Sequence, residues 1–305
     1  MSITDFELLL QIGDEVPPPQ EFQRTLSRAP EGYAPDYVGM RKMIEGLLED
    51  NEDNYGAFVD LAYRCAFTFR STDYLGGCNG ARIRFEPESE FAGNEGAAAT
   101  LGILKPVSDA YPNASDADLI VLAGHTALQR AGTTTLTFCG GRVDAQDGPG
   151  SEGLAPRIYK PAVVAIRDNM EVKGLTARQG VALAARPTGS KLSNQFFIEL
   201  LAGDGTFTAE ESALLEGGFE SIVQEFAADE EAFMEVFASA WTYLMTADRF
   251  GDFNKNGCTG VDECTTEDCQ ATDDEPNNDD AGILPVVSFF SWFLVAGGVV
   301  FSDLL

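Results

Sequence analysis

A mainly α-helical domain is predicted by three stretches whose apolar residues recur at helical spacing. Residues 36–50 place Val38, Met43, Ile44, Leu47 and Leu48 on one face. Val59, Ala62, Tyr63, Ala66 and Phe67 form a second such face. Phe233, Phe237, Trp241 and Leu244 form a third within residues 229–250. Between the second and third stretches, Leu119 to Leu128 is apolar enough for a buried helix.

Composition sets the limits on function. At 305 residues and 44% hydrophobic, the chain can bury one core of about 200–250 residues with tails to spare. Twenty basic against 49 acidic residues leave a formal charge of −29. That charge repels phosphate backbones and argues against a nucleic-acid partner. Six cysteines, at 65, 78, 139, 258, 264 and 269, favour an oxidising compartment over a catalytic thiol. Cys78 or Cys139 could staple the region around Cys65, and spacing alone does not set the connectivity.

Taken in order, residues 1–35 begin with a short apolar run that lacks the basic flank of a signal peptide. They pass into Pro17-Pro18-Pro19, an extended spacer. The helix over 36–50 follows. A second helix ends near Phe67, where polar residues 68–73 lead into Gly76-Gly77-Cys78-Asn79-Gly80. Three glycines in five residues make a tight loop that admits positive φ or a close backbone approach.

Thr68-Phe69-Arg70, Asp73, Gly76-Gly77, Asn79-Gly80-Ala81-Arg82-Ile83-Arg84 and Pro87 together carry a resemblance. Here the chain resembles the class I haem peroxidases, most of all the haem-less C-terminal domain of catalase-peroxidases. The resemblance covers residues 36–250 and implies the haem-peroxidase helical architecture. In active members, the distal helix carries an Arg, then three residues on a Trp or Phe, then a His that deprotonates peroxide. The Arg stabilises charge developing on the leaving oxygen. Aligned through Leu61-Ala62, those positions hold Asp60, Tyr63 and Arg64. The base is replaced by a cation and the cation by an anion. A surface or partly buried i,i+4 ion pair is the structural reading of Asp60 and Arg64. Asn94 matches the asparagine that orients the missing histidine.

In residues 106–144, Ser115 reads as an N-cap with Asp118 at N3. Gly141-Arg142-Val143-Asp144 is also family-like. Asn113-Ala114-Ser115 is a glycosylation sequon, relevant if the chain is secreted. His125, the one histidine, aligns with neither family histidine and reads as a satisfied core group. One histidine cannot serve as both proximal ligand and distal base. Residues 145–160 read as a loop. Leu175 to Gly180 then open a helix through Val181-Ala182-Leu183-Ala184-Ala185. Where the resemblance implies the iron-ligating histidine, Arg186 or Pro187 stands, and a guanidinium has no lone pair to give. Ser193-Asn194 through Leu200-Leu201 resembles a wall of the proximal side. The acid that would brace a proximal histidine falls at Val236, beside Glu235.

Beyond the domain, Asp252, Asn254, Asn256, Cys258 (through its carbonyl) and Glu263 fit a twelve-residue calcium loop, with Gly257 at the turn. Thr259 replaces the usual branched apolar residue there. The alternatives are a disulfide-bound extracellular loop through Cys258, Cys264 and Cys269, or an acidic linker. Residues 270–282 are acidic and poor in apolar side chains, as a disordered spacer would be. Ile283 to Phe301 is an uncharged run long enough to cross a bilayer, or to serve as a cleaved lipid-anchor signal.

The expected organisation is an N-terminal segment (1–35), a peroxidase-like domain (36–250), an acidic linker with a calcium-loop-like sequence (251–282) and an apolar helix or anchor signal (283–305). The expected function is a degenerate peroxidase-like domain, presented at a membrane by its tail in the secretory pathway or at the cell surface. It would act as a structural or binding module for an unassigned protein or small-molecule partner. No catalytic or cofactor-binding residue is expected, and calcium is the one candidate ion. The alternative is a divergent haem peroxidase acting on peroxide, and haem is expected only under that alternative.

Overall fold

Helix α1, Tyr37–Asp50, opens with Asp36 accepting from the backbone N–H of Gly39 at 2.8 Å, the N-cap arrangement that Asp favours. A computed structural model of the chain describes residues 33–133 and 136–248 and the backbone of residues 258–259. Those residues lie within one compact unit, Met1–Cys264. The inward stripe of α1 is Met40, Ile44 and Leu48, while Met43 is 36% exposed. The expected stripe was therefore rotated: the buried residues follow i, i+4, i+8 from Met40, which leaves Met43 outside.

Helix α2 spans Asp53–Ala66 and α3 spans Ala97–Ala110. Helix α4, Asp116–Arg130, is capped by Ser115, whose hydroxyl accepts from the N–H of Asp118 at 3.1 Å. Every residue of α4 from Ala117 to Leu128 is buried, so this helix is the centre of the core. Its closest neighbour is α2. A side chain at Gly124 would meet Cβ of Ala62 at 2.6 Å and the Trp241 ring at 3.0 Å, so only glycine allows this approach.

A two-residue strand β1 (Phe138–Cys139) pairs antiparallel with β2 (Cys258–Thr259), setting Cys139 opposite Cys258 in the backbone register. Between them lie α5 (Ala162–Val172), α6 (Ala177–Ala182), α7 (Gln195–Ala202), α8 (Ala209–Ser212), α9 (Glu220–Ala228) and α10 (Glu230–Thr246). The architecture is mainly helical, with the haem-peroxidase-like arrangement that the sequence implied. Phe233, Phe237, Trp241 and Leu244 are the buried stripe of α10, as the periodicity predicts. Phe197, Phe226, Phe233, Phe237 and Trp241 pack ring to ring at 5.1 to 6.1 Å, tying α7, α9 and α10 together.

The predicted helix through Val181–Ala185 is displaced. Helix α6 begins at Ala177 behind a capping box between Thr176 and Gln179 and stops at Ala182. Beyond it, Ala184 and Ala185 turn back onto Val181 and Ala182 in single tight turns, and Pro187 keeps Arg186 out of the helical region. Arg186 is thereby held in an irregular segment.

Cys65 and Cys78 form a disulfide across the second helix and the following loop, with their Cα atoms 4.8 Å apart. Cys139 is also disulfide-bonded, and no cysteine among the described residues is free. No helix among the described residues is long and apolar enough to cross a membrane. The proline spacer at 17–19, the calcium-loop residues Asp252, Asn254, Asn256 and Glu263, the acidic linker and the run 283–301 lie outside the described residues. So does the Cys258 side chain.

Candidate functional site

Two clusters gather many of the positions that the sequence singled out. The first gathers around α2. Its core-facing side buries Tyr55, Phe58, Val59, Ala62, Cys65 and Ala66, which leaves Asp60, Tyr63, Arg64 and Phe67 on the outer half. Asp60 and Arg64 form an i,i+4 ion pair at 2.6 Å, with side chains 40% and 33% exposed. At that exposure a pair contributes about 0.5 kcal/mol or less.

Arg186 crosses from the segment after α6 to join them. Its guanidinium lies 4.1 Å from the centroid of the Tyr63 ring, and its Nε is 3.7 Å from Asp60 Oδ1. One terminal nitrogen donates to the backbone carbonyl of Ala185 at 2.9 Å and also to that of Leu183. Tyr63 in turn stacks on Phe67 with centroids 4.7 Å apart, and Lys173 Nζ lies 4.5 Å from the far ring. The result is a column with cations at both ends: Arg186, Tyr63, Phe67, Lys173. Aromatic faces attract such cations.

Lys173 is 2% exposed and makes no ion pair among the described residues. Burial pushes its ammonium down to about 8, with repulsion from Arg157 and Arg70 added. Sequence reading missed Lys173, since a lysine at a helix end before a glycine looks like an ordinary C-terminal charge.

Of the sequence-predicted positions, Asp60, Tyr63, Arg64 and Arg186 are thus in mutual contact. Val236 is half-buried on α10 and Glu235 is exposed, and neither joins the cluster. Asn94 donates to the backbone carbonyl of Glu88 at 2.6 Å. With Tyr63, Arg64, Phe67, Thr68, Phe91, Ala92 and Pro156 it lines a cavity of about 30 Å³. At about 10–15 Å³ of such space per water, that is room for about two waters.

His125 is remote from this cluster in its interactions. Its Nε2 lies 3.2 Å from the Thr137 carbonyl, and the Trp241 indole N–H points to Nδ1 at 3.3 Å. The Val121 carbonyl lies 3.0 Å from the same Nδ1, so both ring nitrogens sit against backbone carbonyls. Burial pushes this imidazole down to about 4, which keeps it neutral.

The second cluster contains many of the residues that carry the family resemblance. Asn79 receives the Val143 N–H at 3.0 Å on its side chain, while its own N–H donates to Asp248 at 2.6 Å. A Cβ at Gly77, where φ is +88°, would strike Asp248, so the loop requires glycine there. Asp144 accepts from the N–H groups of Asp116 and Ala117 at 2.9 and 3.0 Å, satisfying the start of α4. Arg84 pairs with Asp116 at 2.6 Å.

Beneath them, Arg142 and Asp118 form a fully buried ion pair at 3.0 Å. Asp118 also accepts from the N–H groups of Gly141 and Arg142 and from the hydroxyls of Tyr33 and Tyr37. Arg142 donates further to the carbonyls of Cys139 and Met245. Sequence reading noted both residues but not their pairing, which no local spacing encodes. This cluster satisfies backbone and charge, and at its outer edge Arg84 and Asp116 border a cavity of about 250 Å³ shared with Leu104, Lys105 and Ser108.

Among the described residues no group of three His, Cys, Asp or Glu side chains is placed to hold a metal. The family model described as Peroxidase matches residues 40–189. The chain is 30% identical to a catalase-peroxidase of Thioalkalivibrio sulfidiphilus, over 78% of this chain and 41% of that protein. It is likewise 30% identical to one of Rhodococcus erythropolis, over 78% and 42%. With one of Alkalilimnicola ehrlichii it shares 29% identity, over 68% and 37%. The chain therefore spans about two fifths of the length of the curated relatives it matches. These matches and the helical architecture make the chain a relative of the class I haem peroxidase superfamily.

Proposed function

We propose that this chain is a peroxidase-fold domain that holds no haem and works as a structural or binding module, presented at a membrane within the secretory pathway. The observation that carries the reading is the contact of Arg186 with Tyr63. Distal and proximal positions face each other across a haem in this family, and Tyr63 and Arg186 stand at one of each. A planar macrocycle needs about 3.5 Å of contact distance on each face, roughly 7 Å between the groups on its two sides. The guanidinium-to-ring distance is 4.1 Å. The adjoining cavity of about 30 Å³ is a small fraction of the roughly 300 Å³ at which small-molecule pockets begin.

The chemistry of the side chains points the same way. Arg64 is a cation where a proton acceptor is needed, and Asp60 is committed to it. Arg186 offers no lone pair to iron. The one histidine is fully engaged in the core. Membrane presentation rests on the uncharged run at 283–301, and the secretory assignment rests on the cystines.

Protein isolated from its source tests the haem reading through its haem content and peroxide turnover. The expected result is no stoichiometric haem and no turnover above that of an Arg64→Ala variant. One haem per chain with turnover that the substitution abolishes would overturn it.

A further inference from the structure

Asn113 is the one asparagine of the 305 residues followed by any residue and then Ser or Thr. The structure puts it in the short turn between α3 and α4, where Ala114 N–H donates to the Tyr111 carbonyl at 2.9 Å. Pro112 and Asn113 are both exposed, and the Asn113 amide makes no hydrogen bond among the described residues. Nothing therefore holds this asparagine for the sake of the fold. An amide at the outer tip of a helix–helix turn leaves room for a bulky polar substituent.

A second, independent observation concerns compartment. Cys65 and Cys78 are joined in a disulfide buried to within 1% of full, and such cystines form and persist in oxidising compartments. Oligosaccharide transfer to asparagine is available in the same compartments. We propose that Asn113 carries an N-linked oligosaccharide. This rests on the secretory part of the functional reading above and is independent of the haem part.

In the transfer, Nδ2 of Asn113 attacks the anomeric carbon of a sugar linked to a polyprenyl phosphate or pyrophosphate. The N–C bond forms and the anomeric C–O bond breaks. The phosphate leaves with that electron pair, and an amide proton passes to a base. The structure adds a constraint on timing. Ser115, the hydroxyl residue of the sequon, is 8% exposed, and its oxygen accepts from the Asp118 N–H as the cap of α4. A transferase that must engage this hydroxyl can do so only before α4 is capped. Modification therefore precedes folding, and the glycan afterwards stands beside a finished helix start.

The test takes the full-length chain from its natural source, digests it with and without peptide-N-glycosidase in heavy-oxygen water, and maps the peptide containing Asn113. The cystine state is read in the same digest. The expected result is Asn113 converted to a heavy-oxygen aspartate only after enzyme treatment, with Cys65–Cys78 intact. In secretory expression, Asn113→Gln should lose the gel shift. Ser115→Thr, which keeps both the sequon and a capping hydroxyl, should retain it. Unmodified Asn113 with an intact cystine would overturn the glycan while sparing the secretory assignment. Unmodified Asn113 with free thiols at 65 and 78 would overturn both.

Discussion

The loop-and-core cluster around Asn79, Asp118, Arg142 and Asp144 and the outer column of Arg186, Tyr63, Phe67 and Lys173 teach different things about a resemblance. In the first, residues matching the family satisfy buried backbone groups and one buried ion pair, so the fold needs them whether or not any reaction takes place. In the second, Tyr63 and Arg186 stand where the resemblance implies haem chemistry, and the column's two cations lie on aromatic faces. On the functional reading proposed above, a family can be recognised strongly from its scaffold while its reactive positions have changed. The measurements below press on that division.

The largest effect is expected inside the scaffold. Asp118→Ala would strip a fully buried guanidinium of its one charged partner among the described residues and leave two N–H groups and two phenols without this acceptor. Loss of one member of such a pair costs about 3–5 kcal/mol. Urea unfolding should register a loss of that size, and a loss under about 1 kcal/mol would show that the network is not what holds the scaffold.

Glu88, whose carbonyl holds Asn94, adds a pH-dependent test. It is 1% exposed and accepts from the Ser151 hydroxyl at 2.6 Å, while its second oxygen has no partner. Burial pushes this carboxyl up from 4.5 to about 7, with Ser151 and Arg82 opposing the rise. The folded state thus binds the proton more tightly than the unfolded chain. The stabilising contribution is fully present below 4.5 and is lost as the pH rises through about 7. The swing is on the order of 3 kcal/mol. Stability measured from pH 4.5 to 8 should fall over that window, and Glu88→Gln should flatten this component.

The smallest effects belong to the outer column. Arg64→Ala should cost about 0.5 kcal/mol or less, as removal of an exposed i,i+4 pair does. Arg186→Ala should cost about 1 kcal/mol, the scale of a partly exposed cation on an aromatic face. A cost of several kcal/mol at either position would make the column part of the scaffold and erase the distinction between the two regions.

Much of the fold was legible in the sequence because it is written in local periodicity. The Ser115 cap, the buried run of α4 and the stripe of α10 each follow from residues within one or two turns of each other. The rotated stripe of α1 and the displaced α6 show the limit. Met43 is apolar yet outside, because neighbouring packing favours Met40, and the Thr176–Gln179 capping box sets the start of α6 before its apolar run begins. The altered positions Asp60, Tyr63, Arg64 and Arg186 were legible only through alignment to a family. Their convergence was not, because Arg186 reaches Tyr63 across 123 positions of chain. Lys173 and Glu88 escaped for a related reason: their significance lies in burial, which depends on segments far away in sequence.

The most direct test of the central claim is a titration of haemin into the purified domain near neutral pH, followed in the Soret region. A slot closed by Arg186 on Tyr63 predicts only weak, non-saturating absorbance changes, equal to those given by an unrelated acidic protein. A sharp Soret band that saturates at one haemin per chain would contradict the account.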